Sequence, residues 1–428
     1  MLGTRLVSVF FLVLCSVSAH AQQTGTLSLD DFVQRALVTN KGLVAAREGN
    51  REARGLLRQA GIRPAPSLEV SSSTGRPFGT RGEEQYSASY AYLLETAGKR
   101  GKRINVAEQG LLLAPAEVDD YVRRLNFQVA SRYIDSLAHQ QKLEALDRLI
   151  GINRELVRLV DARVKEGDAA ALERQLLSVD LRRNEAEVAV ATGRLATALR
   201  ELQRLAGLTG TAPFSLLEPD PIREDFSLAA LQQRALADRA DLRAARILVE
   251  QAEAEAELAE AQGRPDLTIS GSYSRQYAGF DGLSGLNASG TPVQLKDRDD
   301  ILSFGVLIPL GTRGRNAGNV EAARARAAGA SLRREYEDSG ALMEVENAWR
   351  RFESSRRAVQ IFDEGVLAQS EQNMEIIRQA YQLGQLRLID VLNEQRRVIE
   401  TRLAYIDTKA ELYRATAELE MAVGGNLR

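Results

Sequence analysis

Apolar positions along the chain follow two periods, and the change from one to the other divides the chain into segments. From Leu29 to Gly61 and from Leu228 to Gly263 apolar residues recur every three or four positions, which predicts a helix in each stretch. Beyond Pro66 and Pro265 apolar and polar residues alternate, the period of a strand with one apolar and one polar face. The predicted strand hairpins occupy residues 67–95 and 266–309.

Each strand hairpin contains a predicted loop, and each is followed by a long helix. The loops, Gly75–Glu84 and Gln276–Asp300, are rich in glycine or polar residues. The helical period then returns from Glu117 to Glu166 and from Asn319 to Leu383. At 1.5 Å per residue these stretches make about 75 to 100 Å of helix.

Two glycines interrupt the helical pattern and predict the tips of two helical hairpins. Gly384 lies within the stretch Ala380–Glu394, and Gly167 occupies the matching place 217 positions earlier. Glycine can take the left-handed conformation that ends a helix, and an apolar stripe restarts just beyond each one. The matched residues after the two tips are Leu172 with Ile389 and Glu173 with Asp390.

The two tips belong to a duplicated unit. Leu27–Ser73 aligns without gaps to Phe226–Ser272, and the identical pairs include Gln34–Leu37 with Gln233–Leu236. Such self-similarity over nearly the whole chain indicates a repeated fold. The predicted first repeat is 22–206, the linker is 207–225, and the second repeat is 226–428.

Helix lengths suggest how each repeat is arranged. The helix after each tip, ending near Gly207 or Gly424, and the helix that opens each repeat are each about half the long helix. Two short helices stacked end to end could therefore flank one long helix and form a straight wall. Because periodicity does not count partners, an ordinary two-stranded coiled coil remains an alternative.

The first 21 residues have the features of a secretory signal peptide. Arg5 precedes an apolar run, and Ala19-His20-Ala21 predicts cleavage after Ala21. Lipid attachment at Cys15 is a weaker alternative, because the bulky Leu14 stands where such sites need a small residue. The exported chain would keep no cysteine and one histidine, His139, and no later run of about 20 apolar residues predicts a transmembrane helix.

Composition and charge exclude several classes of function. Lys and Arg number 56 against 58 Asp and Glu, so the net charge of −2 gives no indication of nucleic-acid binding. Motifs for zinc hydrolysis, phosphate-binding loops and serine nucleophiles are absent from the sequence. We therefore expect no enzymatic activity, no cofactor and no dedicated metal site.

The alternating strands are long enough to cross a bilayer. Four strands of about 8 to 10 residues suit a tilted membrane span, but four cannot close into a barrel. An open sheet in lipid would leave unpaired backbone groups at two edges, so spanning requires closure with other copies of the chain. Three copies would supply twelve strands. A soluble sandwich of the two strand hairpins against the helices is the alternative.

These features together resemble the TolC family of outer-membrane efflux channels over Leu27 to Gly424. The segments Glu95–Arg103 (ETAGKRGKR) and Ile308–Ala323 (IPLGTRGRNAGNVEAA) are most similar to its CzcC-type branch, which serves heavy-metal exporters. The resemblance implies a mainly α fold with a small β part. It also implies a homotrimer whose twelve-stranded barrel lies in outer-membrane lipid and continues into a periplasmic helical tunnel.

The resemblance also assigns roles to residues near the tips. It implies that Asp390 points into the pore at its narrowest ring and that Glu173 forms or flanks a second ring, while Tyr381 helps to lock the closed state. A ring of carboxylates would attract cations. Two departures are Asn393, where the family has a second carboxylate, and Leu386, where some members have a locking arginine.

The tips should also be the docking place of a periplasmic adaptor, which links the tunnel to an inner-membrane pump, of the RND type for this branch. The residues expected to contact the adaptor are Gly167, Gly384, Leu172, Leu386 and Ile389. Two other functions stay open at this point. The chain could be a periplasmic coiled-coil adaptor or scaffold, or the outer-membrane conduit of a type I protein secretion system.

Overall fold

Long helices and one small sheet make up the computed structural model, which describes residues 26–75, 83–208, 214–220 and 226–427. The predicted signal peptide, with Cys15, and parts of the predicted linker lie outside these residues. The helices are α1 (Leu29–Thr39), α2 (Lys41–Ala60), α3 (Lys99–Glu166), α4 (Ala171–Leu205), α5 (Leu228–Asp238), α6 (Ala240–Gln262), α7 (Thr312–Arg315), α8 (Ala317–Ile361), α9 (Leu367–Gln382) and α10 (Leu388–Val423). The strands are β1 (Thr26–Leu27), β2 (Ser67–Thr74), β3 (Glu84–Leu94), β4 (Ser215–Leu216), β5 (Leu267–Leu286) and β6 (Pro292–Leu307). Within the described ranges, no helix combines the length and apolar character needed to cross a membrane.

The opening helix of each repeat is broken, so the single helix predicted there is wrong. Asn40 and Arg239 occupy matching positions and both have extended backbones, with ψ of 114° and 124°. Asn40 accepts from the Leu43 amide and donates through Nδ2 to the Leu205 carbonyl, and Arg239 donates to the Ala422 carbonyl. Each break therefore lies against the end of the helix that returns from the tip, α4 in the first repeat and α10 in the second. In each repeat the opening helix and the returning helix are thereby stacked end to end.

The two long helices differ, although the duplication predicts that they match. α3 runs without a break, includes Pro115, and begins well before the predicted start at Glu117. Its counterpart is interrupted between α8 and α9 by a π-helical turn, Phe362–Val366. Gly365 in this turn has φ of 159° and ψ of −16°, outside helical geometry. The second repeat thus has a discontinuity that the first does not share.

The four longer strands form one antiparallel sheet in the order β2–β3–β5–β6. Pairings such as Leu68 with Tyr90 and Ile269 with Val306 place most apolar residues of the four strands on one face. The opposite face is rich in serine. The apolar face includes Leu68, Val70, Tyr90, Tyr92, Leu94, Ile269, Tyr273, Leu302, Phe304 and Val306, and the polar face includes Ser71, Ser87, Ser89, Ser270, Ser272, Ser274 and Ser303.

The strand hairpin of the second repeat is longer than predicted. The loop expected at Gln276–Asp300 is wrong, because β5 continues to Leu286 and β6 begins at Pro292. The polar composition of this stretch suggested a loop, yet its backbone pairs as two strands, from Gln276 with Asp299 to Leu286 with Pro292. Beyond Tyr277, the last β5 residue paired with β3, the β5–β6 hairpin projects past the rest of the sheet. The loop predicted at Gly75–Glu84 falls mostly outside the described residues.

The helices pack around α3 in two successive layers. Near the sheet the order across the protomer is α2–α3–α6–α8, and towards the tips it is α4–α3–α10–α9. The short strands β1 and β4 pair between these layers and join the N-terminal segment to the linker. The buried hydroxyl of Tyr133 on α3 lies 2.9 Å from the Leu27 carbonyl and 2.7 Å from the Leu217 carbonyl, which holds the linker against the helical wall.

Candidate functional site

Both predicted tips end a helix on a left-handed glycine. Gly167 has φ of 84° and Gly384 has φ of 73°, a conformation that favours glycine over any residue with a side chain. The amides just after the tips close each turn by donating to carbonyls of the preceding helix. These hydrogen bonds run from Asp168 N to Arg163 O (2.8 Å) and from Gln385 N to Ala380 O (2.9 Å).

Two of the predicted gate residues, Tyr381 and Glu173, lie in contact. Tyr381 is only 5% exposed, and its hydroxyl donates to Oε2 of Glu173 at 3.4 Å. The guanidinium of Arg163 lies over the Tyr381 ring, 5.6 Å from its centroid. Burial, followed by the charge of Glu173, raises the pKa of the Tyr381 phenol above its ordinary value. The second tip is thereby joined to the first turn of α4.

Asp390 has a local role within α10. Its Oδ2 accepts from the Arg387 amide at 3.1 Å and lies 3.7 Å from Arg387 Nε. This carboxylate therefore caps the start of the helix, where the helix dipole favours a negative charge. Its side chain is 35% exposed, and Asn393, one turn further along, is exposed as well. Both groups are accessible in the single protomer.

Apolar side chains predicted to contact an adaptor are exposed at the tips. Leu172 is 64% exposed and Ile389 is 41% exposed, whereas Leu386 is partly buried. Behind them a buried apolar cluster joins the two hairpins. The cluster contains Leu156, Val160, Leu177, Tyr381, Leu388, Val391 and Leu392.

A buried polar cluster lies further from the tips, and the sequence analysis did not single it out. Gln395 on α10 donates to Oδ1 of Asn153 on α3 at 2.6 Å. Asn153 and Asn184 both donate to Oδ2 of Asp180 on α4 at 3.2 Å. A polar residue within an apolar heptad stripe, such as Asn153 in the series Leu149, Asn153, Leu156, Val160, is the signal that could have revealed it.

The basic segment Lys99–Arg103, at the start of α3, lies at the junction between strands and helices. Lys99 Nζ is 2.8 Å from both Oδ2 of Asp266 and the Arg264 carbonyl, and Arg103 pairs with Glu95. These cations are held by protein groups where the sheet joins the helical layers. Within the described part of the chain, no group of three or more His, Cys, Asp or Glu side chains is placed to hold a metal ion.

The sequence of both repeats matches the model of a known protein family. The model of the outer membrane efflux protein family matches residues 32–208 and 231–425, one segment in each repeat. The chain belongs to the outer membrane efflux protein family. This family consists of channel proteins and not of enzymes.

Individual members of the family are distant relatives. The cobalt-zinc-cadmium resistance protein CzcC of Cupriavidus metallidurans is 23% identical over 425 residues, which cover 99% of this chain and 94% of that protein. The crystal structure of CusC is 21% identical, with a TM-score of 0.74 over 95% of this chain and 96% of CusC. The open-state outer-membrane channel MtrE of Neisseria gonorrhoeae is also 21% identical, with a TM-score of 0.73 over 94% of this chain and 89% of MtrE.

Family membership establishes the location and the general activity of the chain. It is an outer-membrane efflux channel with a large periplasmic portion. Such channels work as trimers, together with an adaptor and an inner-membrane pump, in tripartite efflux. The fold class predicted from the sequence, mainly α with a small β part in a duplicated unit, is confirmed.

Proposed function

We propose that three copies of this chain form a continuous tunnel that is gated at the periplasmic tips and exports heavy-metal cations. The observation that carries the proposal is that every layer of the protomer ends in two unlike edges. One edge comes from the first repeat and the other from the second. The edges are β2 and β6 in the sheet, α2 and α8 near the sheet, and α4 and α9 towards the tips.

Unlike edges fit a head-to-tail ring of identical chains. The outer strands β2 and β6 would pair between neighbours, so the closed sheet would present no strand edge to lipid. The helical edges also carry exposed apolar residues that a neighbour would cover. These include Val44 and Leu56 on α2, Val179 and Val190 on α4, Leu332, Tyr336 and Met343 on α8, and Ile376 on α9.

The apolar face of the sheet suits contact with outer-membrane lipid. β3 has 11 residues, and a tilted membrane strand needs about 9–11. Above Tyr273 on this face an ion pair joins Arg275 Nε to Oδ1 of Asp300 at 2.7 Å, and the Tyr273 hydroxyl donates to the same oxygen at 2.6 Å. A charged pair beside a tyrosine is a typical boundary between lipid tails and head groups. The serine-rich face would line the lumen.

The tips supply the gate and the adaptor contact. Asp390, with Glu173, would form carboxylate rings in the trimer. Asn393 would extend the polar lining of the pore by one helical turn along α10. Tyr381 would hold the closed arrangement through its contact with Glu173. The exposed Leu172 and Ile389, with Leu386 and the glycine turns at Gly167 and Gly384, would receive the adaptor.

The cargo and the pump are inferred from the metal-resistance relative. CzcC is named for resistance to cobalt, zinc and cadmium, and the match to it spans almost the whole of both chains. Carboxylate rings and a hydroxyl-lined lumen would let a hydrated cation pass while favouring its charge over that of an anion. We propose that the pump partner is of the RND type.

Outer-membrane extraction followed by bilayer recording tests this proposal. The protein purified in mild detergent should have the mass of a trimer, and in planar bilayers it should conduct cations in preference to anions. Deleting its gene should raise sensitivity to zinc, cobalt or cadmium. A monomer, or a trimer that selects anions, would contradict the proposed tunnel.

A further inference from the structure

The polar cluster of Asn153, Asp180, Asn184 and Gln395 joins the two hairpins by hydrogen bonds away from the tips. Asn153 is 0% exposed and Gln395 is 6% exposed. Asn153 bridges the other two helices, since it accepts from Gln395 of α10 and donates to Asp180 of α4. Leaving a buried amide without its hydrogen-bond partner destabilises the protein. This contact therefore favours one relative position of the hairpins.

Apolar packing is incomplete around this cluster. Gln395 lines a cavity of 310 Å³ between α3, α9 and α10, and also a cavity of 230 Å³ between α3, α4 and α10. Gaps of this size remove van der Waals contacts that would otherwise join the helices. At this level the hydrogen bond from Gln395 to Asn153 adds a polar contact to the apolar packing that holds α10 against the first hairpin. Both cavities also have room for water near polar groups.

The two hairpins differ in the continuity of their long helices. In the first hairpin α3 is continuous, and the Arg154–Glu185 pair at 3.0 Å ties it to α4. In the second, the π-helical turn at Gly365 separates α9 from α8, whereas the matching position of the first repeat is Arg148 inside a regular helix. Such turns occur at hinges in long helices. The cluster therefore connects a continuous hairpin to an interrupted one.

We propose that Asn153, Asp180 and Gln395 form a latch that positions α10, and with it Asp390, in the closed tunnel. The latch rests on the proposed gate and extends it to a second level away from the tips. When α9 and α10 shift about the turn at Gly365, the Gln395–Asn153 bond breaks first at this level. Water in the adjoining cavities can then replace the lost partners, so that two arrangements of the hairpin are accessible.

The test compares Asn153→Ala, Gln395→Ala and the double variant as purified trimers in detergent. Amide hydrogen exchange should rise about tenfold in α9 and in α10 before residue 395, while exchange in α3 and α4 stays within about twofold of wild type. The exchange rate of the double variant should be less than twofold above that of the faster single variant, because the two side chains share one contact. Ser136→Ala and Thr416→Val are matched controls, since both residues are buried and bond within their own helices.

Bilayer recording of the same trimers gives a second measurement. Loss of the latch should raise the fraction of time spent open about five- to tenfold, while the conductance of the open channel stays unchanged. Equal exchange in wild type and both alanine variants would overturn the latch, whatever the channel conducts. A non-conducting wild-type trimer would instead overturn the proposed tunnel. If the double variant does not assemble, Asp180→Asn keeps the shape of the side chain and should give a smaller rise of the same kind.

Discussion

The hydroxyl of Tyr381 donates to Oε2 of Glu173 across 3.4 Å, which joins the last turn of α9 to the first turn of α4. The two residues are 208 positions apart in the sequence and belong to different repeats. One protomer alone therefore holds its two tips together. Any movement of the second tip away from the first must break this hydrogen bond to a charged group.

Tyr381→Phe should favour the open tunnel. The substitution removes only the hydroxyl. A hydrogen bond as long as 3.4 Å contributes about 1 kcal/mol, so the open fraction should rise about fivefold. Bilayer recording of purified trimers measures the change. Tyr273→Phe is the matched control, because it removes a tyrosine–carboxylate bond in the sheet, far from the tips. Equal opening by both variants would point to a general loosening of the protein.

Asp390→Asn should weaken block of the tunnel by polyvalent cations. Asparagine keeps an oxygen that can accept from the Arg387 amide, so the cap of α10 survives while the charge is lost. Removing three charges from a narrow ring should lower the affinity for a trivalent blocker at least about tenfold, or about 1.4 kcal/mol. Current block titrated from the periplasmic side gives the affinity. An unchanged affinity would show that Asp390 acts only as a helix cap.

Leu172→Glu and Ile389→Glu should weaken adaptor binding without disturbing the trimer. Both side chains are exposed at the tips, and such surface changes usually alter folding free energy by no more than about 0.5 kcal/mol. Binding of the purified adaptor should fall about tenfold, measured by surface plasmon resonance. Val38→Glu, at a more exposed apolar position outside the tips, should leave adaptor affinity unchanged. A similar loss from Val38→Glu would argue against docking at the tips.

The attachment of the linker should weaken in acid. Burial acts to raise the pKa of Glu218, but the hydrogen bond and charge of Lys409 outweigh it and hold this pKa below the ordinary value of 4.5. The contribution to stability is therefore fully present above about pH 4.5 and is lost as the pH falls through the folded-state pKa. Glu218→Gln should lower stability by about 0.5 kcal/mol at pH 7, and this difference should shrink steadily as the pH falls below about 4.5. Thermal unfolding across this pH range measures the difference.

Gly207→Ala and Gly193→Ala should change stability in opposite directions. Gly207 has φ of 63°, and an added Cβ would lie 2.6 Å from Oγ1 of Thr39, so alanine there should cost about 1–3 kcal/mol. Gly193 lies inside α4 with no atom within 4 Å of an added Cβ. Alanine at this position should stabilise the helix by about 0.5–1 kcal/mol. Chemical denaturation of both variants measures the change in the free energy of unfolding, which should be a loss for Gly207→Ala and a gain for Gly193→Ala.

Most of the fold could be predicted from the sequence because its main signals are periodic. The ungapped match of Leu27–Ser73 to Phe226–Ser272 revealed the duplication, and the tip glycines marked the hairpins. The breaks at Asn40 and Arg239 were missed because each depends on the end of a distant helix, which local helical propensity cannot indicate.

Less of the candidate site than of the fold could be predicted from the sequence. The contact between Tyr381 and Glu173 follows from how two repeats dock, and no local pattern encodes it. Arg163 completes that contact and was not singled out at all. The π-helical turn at Gly365 was also missed, since the helical period continues on both sides of it and a single glycine is compatible with a regular helix. The roles of Asp390 and Asn393 stay predictions.

The alternation of side chains between the two faces of the sheet limits where this chain can accept an inserted residue. Inserting one residue into β3 would exchange its serines with its tyrosines, because neighbouring side chains point to opposite faces. The projecting end of the β5–β6 hairpin is different, since its register already shifts between Gly279 and Ser284. The turn Asn287–Thr291 is therefore the natural place for an epitope tag or a displayed peptide.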